Sequence, residues 1–206
     1  SVRAALDVYA NNLHTGDIVI LNDPYLGGTH LPDITLVSPV FIKESGNQIL
    51  VGFIANRGHH ADVGGMTPGS LPLSTELYQE GLIIPPLKLA RGSRINQDII
   101  QLICRNSRTP EERKGDLEAQ IASMRVGEQR LQELANKYGI SVIQEHMAGL
   151  LDYSERVTRQ AIIAIPDGSY SVIDYMDDDG LTDSPVPIQV TITVSGYEME
   201  LDFTGT

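Results

Sequence analysis

Residues 16–41 read GDIVILNDPYLGGTHLPDITLVSPVF, in which two short apolar runs flank a long loop that contains Gly and Pro. The runs Asp17–Leu21 and Ile34–Phe41 are rich in β-branched residues and predict two β-strands. A third run, Gln48–Ala55, follows the segment Glu44-Ser45-Gly46-Asn47, whose residues are typical of a turn between paired strands. The chain is therefore predicted to contain a sheet near its start.

The spacing of apolar residues changes from strand-like to helical at about Asn96. A short helix is predicted over Gln97–Cys104. A long helix is predicted from Pro110, with Thr109 as its N-cap, and Gly139 is expected to close it. This change predicts a helical region after the sheet.

A second long helix is predicted directly after the first, because Ser141 and Gln144 form a capping-box pattern. Both helices carry an apolar stripe that we expect to be core. The stripe of the first helix contains Leu117, Ile121, Met124, Leu131, Ala135 and Tyr138, and that of the second contains Ile143, Met147, Leu150, Leu151, Val157 and Ala161. Two long helices joined by a tight glycine turn predict an antiparallel helical hairpin.

Strand patterns return in the last forty or so residues. They cover Gly168–Asp174, Ile188–Val194 and Glu198–Phe203. Because helices and strands do not alternate regularly, we predict an α+β fold and not a parallel βαβ sheet. Three regions are expected: a mixed or antiparallel sheet with Gly-rich site loops at 1–95, the helical hairpin at 96–165, and a C-terminal β segment at 166–206.

The composition is typical of an ordinary soluble globular protein, since 41% of the 206 residues are hydrophobic and 20% are charged. The net charge of −12 argues against general affinity for nucleic acid or anionic membranes. The single cysteine, Cys104, excludes an internal disulfide and favours a reducing compartment such as the cytoplasm. Because the chain starts without Met in a helical pattern and stops beside a strand, we expect a piece of a longer protein.

Two Gly- and Pro-rich loops carry the residues best suited to chemistry. The loop after the first strand holds Asn22, Asp23, His30 and Asp33, and the loop after the third holds Arg57, His59, His60 and Asp62. Imidazole and carboxylate groups together suit a divalent transition metal such as Zn, Mn or Fe. If the first and third strands run parallel, with the second between or beside them, both loops leave the same edge of the sheet and their side chains can cluster.

His59 and His60 are adjacent, so in extended backbone their side chains point in opposite directions. We therefore expect one of the two to ligate a metal, and the other to serve as an acid, a base or a substrate donor. The residues alone leave an alternative open, in which two polar surface loops carry histidines that are hydrogen-bonded to carboxylates.

Several long motifs resemble the hydantoinase B/5-oxoprolinase family, which is related to the acetone carboxylase alpha subunit. The motifs are GDIVILNDPYLGGTHLPDITLVSPVF (16–41), FIANRGHHADVGGMTPGS (53–70), EGLIIPPLKL (80–89), DLEAQIASMRVGEQRLQEL (116–134) and the closing LDFTGT. The resemblance spans nearly the whole chain. It implies a protein of several hundred residues, of which this chain is an N-terminal-to-central piece.

The resemblance implies the B-type subunit of an ATP-dependent cyclic-amide hydrolase, which opens hydantoin or 5-oxoproline rings. Its implied partner is an ATP-binding A-type subunit or fused domain, so the isolated piece is expected to be inactive. An alternative is a subunit of the acetone or acetophenone carboxylase type. A third is a non-catalytic interaction module, because nine of the fifteen bases lie between Arg91 and Lys137, while residues 160–206 hold nine acids and no base.

The resemblance also implies roles for single residues. The HxxD and HHxD motifs make His30, Asp33 and His59 the expected metal ligands. Asp62, His60 and Glu80 are expected to be catalytic, and Asn22, Asp23 and Arg57 to bind substrate. In the implied mechanism the partner phosphorylates the amide or enolate oxygen with ATP. A metal then polarises the activated species or lowers the pKa of a bound water, with an Asp or His as general base.

Overall fold

A computed structural model describes residues 1–10, 12–44 and 46–206. The chain folds into two compact units, Ser1–Val142 and Ile143–Thr206. Ser45 of the predicted turn lies outside the described residues.

The first unit contains a five-stranded sheet with helices on its faces. The elements are α1 (Val2–Tyr9), β1 (Ile18–Leu21), β2 (Asp33–Glu44), β3 (Asn47–His59), β4 (Leu87–Arg91), β5 (Arg94–Ile95), α2 (Gln97–Arg105) and α3 (Pro110–Tyr138). Short 3-10 turns lie at Pro24–Leu26 and Leu77–Gln79. The strand order is β3-β2-β1-β4-β5. Because β1 and β3 each pair antiparallel with β2, they run parallel to each other, which is the arrangement under which the two loops are expected to cluster, and the loops start at the same end of the sheet.

Strand β1 is buried on both faces because its residues alternate between two cores. Ile18 and Ile20 belong to a cluster that includes Leu117 of α3 and residues of α2. Val19 and Leu21 belong to a cluster with residues of α1. Helix α1 therefore covers one face of the sheet, and α2 and α3 cover the other. Truncation of a fully buried leucine such as Leu117 to alanine typically costs about 2–5 kcal/mol, so this contact anchors α3 firmly on the sheet.

Helix α3 begins at Pro110 after the N-cap residue Thr109 and is closed by Gly139, as predicted. Thr109 makes no side-chain cap hydrogen bond, and its Oγ1 is buried without a partner among the described residues. The Thr109 N–H donates instead to Ser107 Oγ at 3.1 Å. The predicted apolar stripe is confirmed as core except at Tyr138, which is exposed.

The sequence pattern does not predict strands β4 and β5. Strand β4 reads LKLAR, which contains no β-branched residue and places Lys88 in the interior. Lys88 is buried there because its Nζ lies 2.6 Å from the carboxylate of Asp17. Burial raises the pKa of Asp17, but hydrogen bonds from Lys88 and from the N–H groups of Gly92 and His14 outweigh it and hold the pKa below its usual value.

The second unit consists of most of α4 (Ile140–Ile163) and an antiparallel sheet in the order β6-β7-β8. Its strands are β6 (Gly168–Met176), β7 (Val186–Ser195) and β8 (Glu198–Asp202). Ser141 lies inside α4, so the second predicted N-cap is wrong. Because α3 and α4 fall in different units, the antiparallel packing predicted for them stays a prediction.

The apolar stripe of α4 is exposed in this chain. Leu150 is 65% exposed and Leu151 is 73% exposed. Within the second unit this stripe does not form core, and its burial against other parts of the protein stays a prediction, whereas the same periodicity in α3 corresponds to burial. A helical spacing of apolar residues predicts that they share one face of a helix, but that face is buried only where another part of the protein packs against it.

Helices combined with antiparallel sheets confirm the predicted α+β class. The division into regions 1–95, 96–165 and 166–206 stays a prediction. Within the described ranges, no helix is both long enough and apolar enough to cross a membrane.

Candidate metal centre

Three of the predicted side chains meet at the end of the sheet from which the two loops start. Asp33 is the first residue of β2 and His59 the last of β3, and the two are direct partners in the strand register. His30 comes from the loop that precedes β2. One ligand atom from each of the three residues lies within 4.8 Å of the others. The strand register of the β2–β3 hairpin therefore places Asp33 and His59 side by side, and the first loop contributes His30.

Hydrogen bonds orient Asp33 and His59. His59 Nδ1 lies 2.7 Å from Asp33 Oδ1, so the imidazole N–H donates to the carboxylate, and Thr29 Oγ1 donates to Asp33 Oδ2 at 3.3 Å. Burial raises the pKa of Asp33, but the hydrogen bonds from His59 and Thr29 and the charge of Arg57 together lower it. The carboxylate is therefore held in its ionised form, which is the form that ligates a metal.

Ser70, in the second loop, contacts both imidazoles. His30 Nε2 donates to the Ser70 carbonyl at 2.7 Å, and His59 Nε2 lies 2.7 Å from Ser70 Oγ. Gly69 precedes Ser70 with φ 101, a conformation that favours glycine, and its N–H donates to Ala61 O at 3.0 Å. No sequence pattern singles out Ser70, because a serine beside a Gly-Pro turn is too common. Only the fold of the loop places it over the histidines.

The donor set fits a divalent metal. Two imidazoles and one carboxylate are the ligands of many Fe, Mn and Zn sites, and three protein ligands leave coordination positions for water or substrate. The side chain of His59 is 52% exposed and that of Asp33 22%. The cluster can therefore be reached from solvent.

Arg57 lies beside the cluster. It precedes His59 by two residues on β3, so both side chains are on the same face of the strand. Its Nε donates to Thr35 Oγ1 at 3.1 Å, and the side chain as a whole is exposed. Arg57 is thus a cation next to the candidate ligands, in a position that suits its predicted role in substrate binding.

His60 points to the opposite face, as alternation predicts. It is 1% exposed, and its Nε2 lies 2.9 Å from Gln120 Oε1 of α3. Burial is the main cause that lowers the pKa of His60 and favours the neutral form. Nδ1 has no hydrogen-bond partner among the described residues, and the nearest carboxylate, Asp116, lies 4.0 Å away. The structure therefore does not place His60 at the cluster, where the expected acid or base would have to act.

Asp62 is also buried away from the cluster. Its carboxylate accepts hydrogen bonds from Gly64 N–H, Ser107 Oγ, and both the N–H and the guanidinium of Arg108. Burial raises the pKa of Asp62, but the N–H groups of Arg108 and Gly64 outweigh it and lower the pKa. A carboxylate with this many donors joins the second loop to the turn between α2 and α3, and it is poorly suited to accept a proton from substrate.

The remaining predicted residues shape the loops. Asn22 is 0% exposed, and its amide group donates to Leu31 O and Leu82 O and accepts from Ile84 N–H. Asp23 accepts from Tyr25 N–H, and Glu80 accepts from Ser74 Oγ. These hydrogen bonds do not bring Asn22, Asp23 or Glu80 to the cluster. Of the nine residues predicted for the site, the structure gathers His30, Asp33 and His59, with Arg57 alongside.

The family model of hydantoinase B/oxoprolinase matches residues 1–206. The chain belongs to the hydantoinase B/oxoprolinase family. It is 41% identical over 92% of its length to an uncharacterized protein of Methanocaldococcus jannaschii, and 35% identical over its whole length to the putative B subunit of a D-/L-hydantoinase from a Pseudomonas species. It covers 32% and 35% of these two relatives, so it spans about a third of their length.

Among solved structures, the chain resembles the ATP-dependent caprolactamase of Pseudomonas jessenii, with a TM-score of 0.84 and 30% identity. The match covers 97% of this chain and 34% of the caprolactamase chain. The predicted membership in this family is therefore confirmed, and the fold is that of a caprolactamase segment.

Proposed function

We propose that this chain forms the metal-bearing part of the B-type component of an ATP-dependent cyclic-amide hydrolase. The observation that carries the proposal is the cluster of His30, Asp33 and His59 on the exposed edge of the β2–β3 hairpin. The family supports the reaction class, since relatives are named as a hydantoinase B subunit, a 5-oxoprolinase and a caprolactamase beta subunit. The ring that is opened would be a hydantoin, 5-oxoproline or a related lactam.

His30, Asp33 and His59 would hold the metal, which when bound supplies Lewis acidity and lowers the pKa of a coordinated water. Asp33 contributes an ionised carboxylate and orients His59 through the hydrogen bond to Nδ1. Arg57 offers a cation within the same strand face, suited to a phosphoryl or carboxylate oxygen of an activated substrate. Ligation through Nε2 would require Ser70 to release the imidazoles, because its carbonyl and hydroxyl contact their Nε2 atoms.

The proposed partner is an ATP-binding A-type subunit or fused domain, which activates the amide by phosphorylation. The names of the relatives, which denote one component of a larger assembly, are consistent with a hetero-oligomer. A cytoplasmic location, predicted from the single cysteine, fits a reaction that consumes ATP.

The proposal is tested by metal analysis of the full-length protein purified with its A-type partner. We expect roughly one divalent metal per B-type chain, and its loss in His30→Ala and Asp33→Asn together with loss of ATP-coupled ring opening. His14→Ala is the matched control, because His14 is an exposed histidine that belongs to no cluster of potential ligands among the described residues.

If both variants keep the metal and ATP-coupled turnover, the assignment of the metal site is wrong, and a non-catalytic interaction module is favoured. If turnover requires bicarbonate and a ketone and fails with cyclic amides, the proposed hydrolase activity is wrong. The carboxylase alternative is then favoured.

A further inference from the structure

The side chain of Gln120 reaches from α3 to the ends of the two strands that carry the candidate ligands. Its Nε2 donates to Ile34 O at 2.9 Å and to Asn56 Oδ1 at 3.1 Å. Because Nε2 donates, Oε1 remains as the acceptor, and His60 Nε2 donates to it at 2.9 Å. Gln120 is 9% exposed. One buried amide thus links β2, β3 and α3.

Two of these three contacts, those with Ile34 and His60, lie next to a candidate ligand in sequence. Ile34 follows Asp33, and His60 follows His59. Since successive side chains of a strand point to opposite faces, Asp33 and His59 face the cluster while Gln120 holds the backbone behind them. Gln120 therefore contacts the strands and not the metal position.

Gly58 makes this approach possible. A Cβ built on Gly58 would lie 2.8 Å from Gln120 Cδ and 2.9 Å from Gln120 Nε2. Both distances are below the closest approach of real Cβ atoms, so any larger residue at position 58 would displace the amide. Glycine at position 58 therefore leaves the space in which the Gln120 side chain lies against β3.

The chemistry of the amide matters as well as its shape. The carbonyl of Ile34 and the amide oxygen of Asn56 need a donor, while the N–H of His60 needs an acceptor. Glutamine supplies both, an ionised glutamate lacks the donor, and leucine lacks donor and acceptor. A buried position that needs both functions at once is specific for an amide.

We infer that Gln120 is a positioning residue for the candidate metal centre, which fixes the separation of Asp33 and His59 by hydrogen-bonding the strand ends from behind. The inference rests on the proposed function, since it gives Gln120 a role toward the metal. Partners that hydrogen-bond a metal ligand directly typically change metal affinity by about 10- to 100-fold when they are replaced, and Gln120, which acts through neighbouring strand residues, should fall near the lower end of that range.

The test compares Gln120→Leu, Gln120→Glu and Gly58→Ala with the matched control Gly127→Ala in the full-length protein with its partner. Gly127 lies on the same helix, where a Cβ would come 2.9 Å from Ile54 Cγ2 of β3, so the control perturbs the same helix–strand contact without touching Gln120. Mn²⁺ affinity and the EPR spectrum of bound Mn²⁺ are measured after chelation and reloading. Thermal melts of the metal-free proteins report stability.

We expect Gln120→Leu, Gln120→Glu and Gly58→Ala to bind Mn²⁺ about tenfold or more weakly and to change the EPR spectrum. Gly127→Ala should lower the melting temperature while keeping wild-type affinity and spectrum. If the site variants fold and bind Mn²⁺ with wild-type affinity and spectrum, or if Gly127→Ala weakens binding equally, the inference is overturned and the proposed function stands. If the wild-type protein binds no divalent metal, the proposed metal centre fails and the inference fails with it.

Discussion

The two adjacent histidines at the end of β3 have opposite surroundings. The side chain of His59 is 52% exposed and contacts Asp33 and Ser70, whereas that of His60 is 1% exposed and contacts Gln120 of the underlying helix. The outer face of the strand carries polar groups that can be reached from solvent, and the inner face carries a buried imidazole whose Nε2 is hydrogen-bonded to Gln120. The same residue type therefore serves a candidate site on one face and the packing of α3 on the other.

Removal of one histidine at a time should separate the roles of the two faces. His59→Ala should weaken Mn²⁺ binding by about 100-fold or more, equivalent to about 2.7 kcal/mol, with stability near wild type because the residue is largely exposed. His60→Ala should lower stability by about 2–4 kcal/mol, since it leaves a cavity and an unpaired Gln120 Oε1, and the folded fraction should still bind Mn²⁺. Mn²⁺ titrations and urea unfolding of both variants measure the two effects.

If His59→Ala destabilises the fold as strongly as His60→Ala and leaves Mn²⁺ affinity unchanged, the assignment of the two faces is wrong. A double variant provides a further check. Because Gln120 links His60 to the strands that carry Asp33 and His59, the double variant measures how far the two adjacent positions are coupled.

Strand alternation is the part of this site that can be predicted from the sequence. The sequence predicts that His30, Asp33 and His59 cluster at one sheet edge if β1 and β3 run parallel, and the antiparallel pairing of both strands with β2 meets that condition. Alternation also predicts that His59 and His60 diverge. The strand patterns do not indicate which residue His60 contacts, because its partner Gln120 lies sixty residues later, in α3. A signal for Gln120 does exist, since it lies three residues after Leu117 and four before Met124, on the buried stripe of the helix.

Other parts of the structure depend on long-range contacts. The predicted N-cap residue Thr109 makes no side-chain cap hydrogen bond, and the predicted N-cap Ser141 lies within α4. The sequence pattern does not predict strand β4, because the burial of Lys88 depends on distant partners, among them the carboxylate of Asp17 and the backbone carbonyl of Asn12. Local patterns predict the existence of elements, whereas burial of a polar residue requires a partner that only the assembled fold reveals.

Asp62 is a buried carboxylate that, like His60, contacts the helical side of the sheet and not the exposed cluster. Asp62→Asn should lower stability at neutral pH by about 2 kcal/mol, because the hydrogen bonds from Arg108, Ser107 and Gly64 lose their charged acceptor. The pKa of Asp62 is lowered in the folded protein, so the ionised group contributes stability above the ordinary carboxyl pKa of 3.8 and loses it as the pH falls through the lower folded value. The gap between wild type and Asp62→Asn should therefore shrink below about pH 4.

Urea unfolding of the metal-free proteins at neutral pH and at about pH 3 checks this expectation. Mn²⁺ affinity of Asp62→Asn should stay near wild type at neutral pH, because the carboxylate does not reach the outer cluster. A strong loss of Mn²⁺ binding, or a stability gap that widens on acidification, would contradict an inner structural role for Asp62.

The smallest expected effect concerns Ser70, the residue that contacts both outer imidazoles. In Ser70→Ala the hydroxyl that lies 2.7 Å from His59 Nε2 is removed, while the backbone carbonyl that accepts from His30 remains. A hydrogen bond of this kind contributes about 0.5–1.5 kcal/mol net, and it must break before Nε2 can ligate. The variant should therefore bind Mn²⁺ about 2- to 10-fold more tightly, as measured by titration against a competing chelator. Weaker binding in Ser70→Ala would mean that the hydroxyl helps to hold the metal and does not compete with it, and the outer face would then contain a fourth ligand from the second loop.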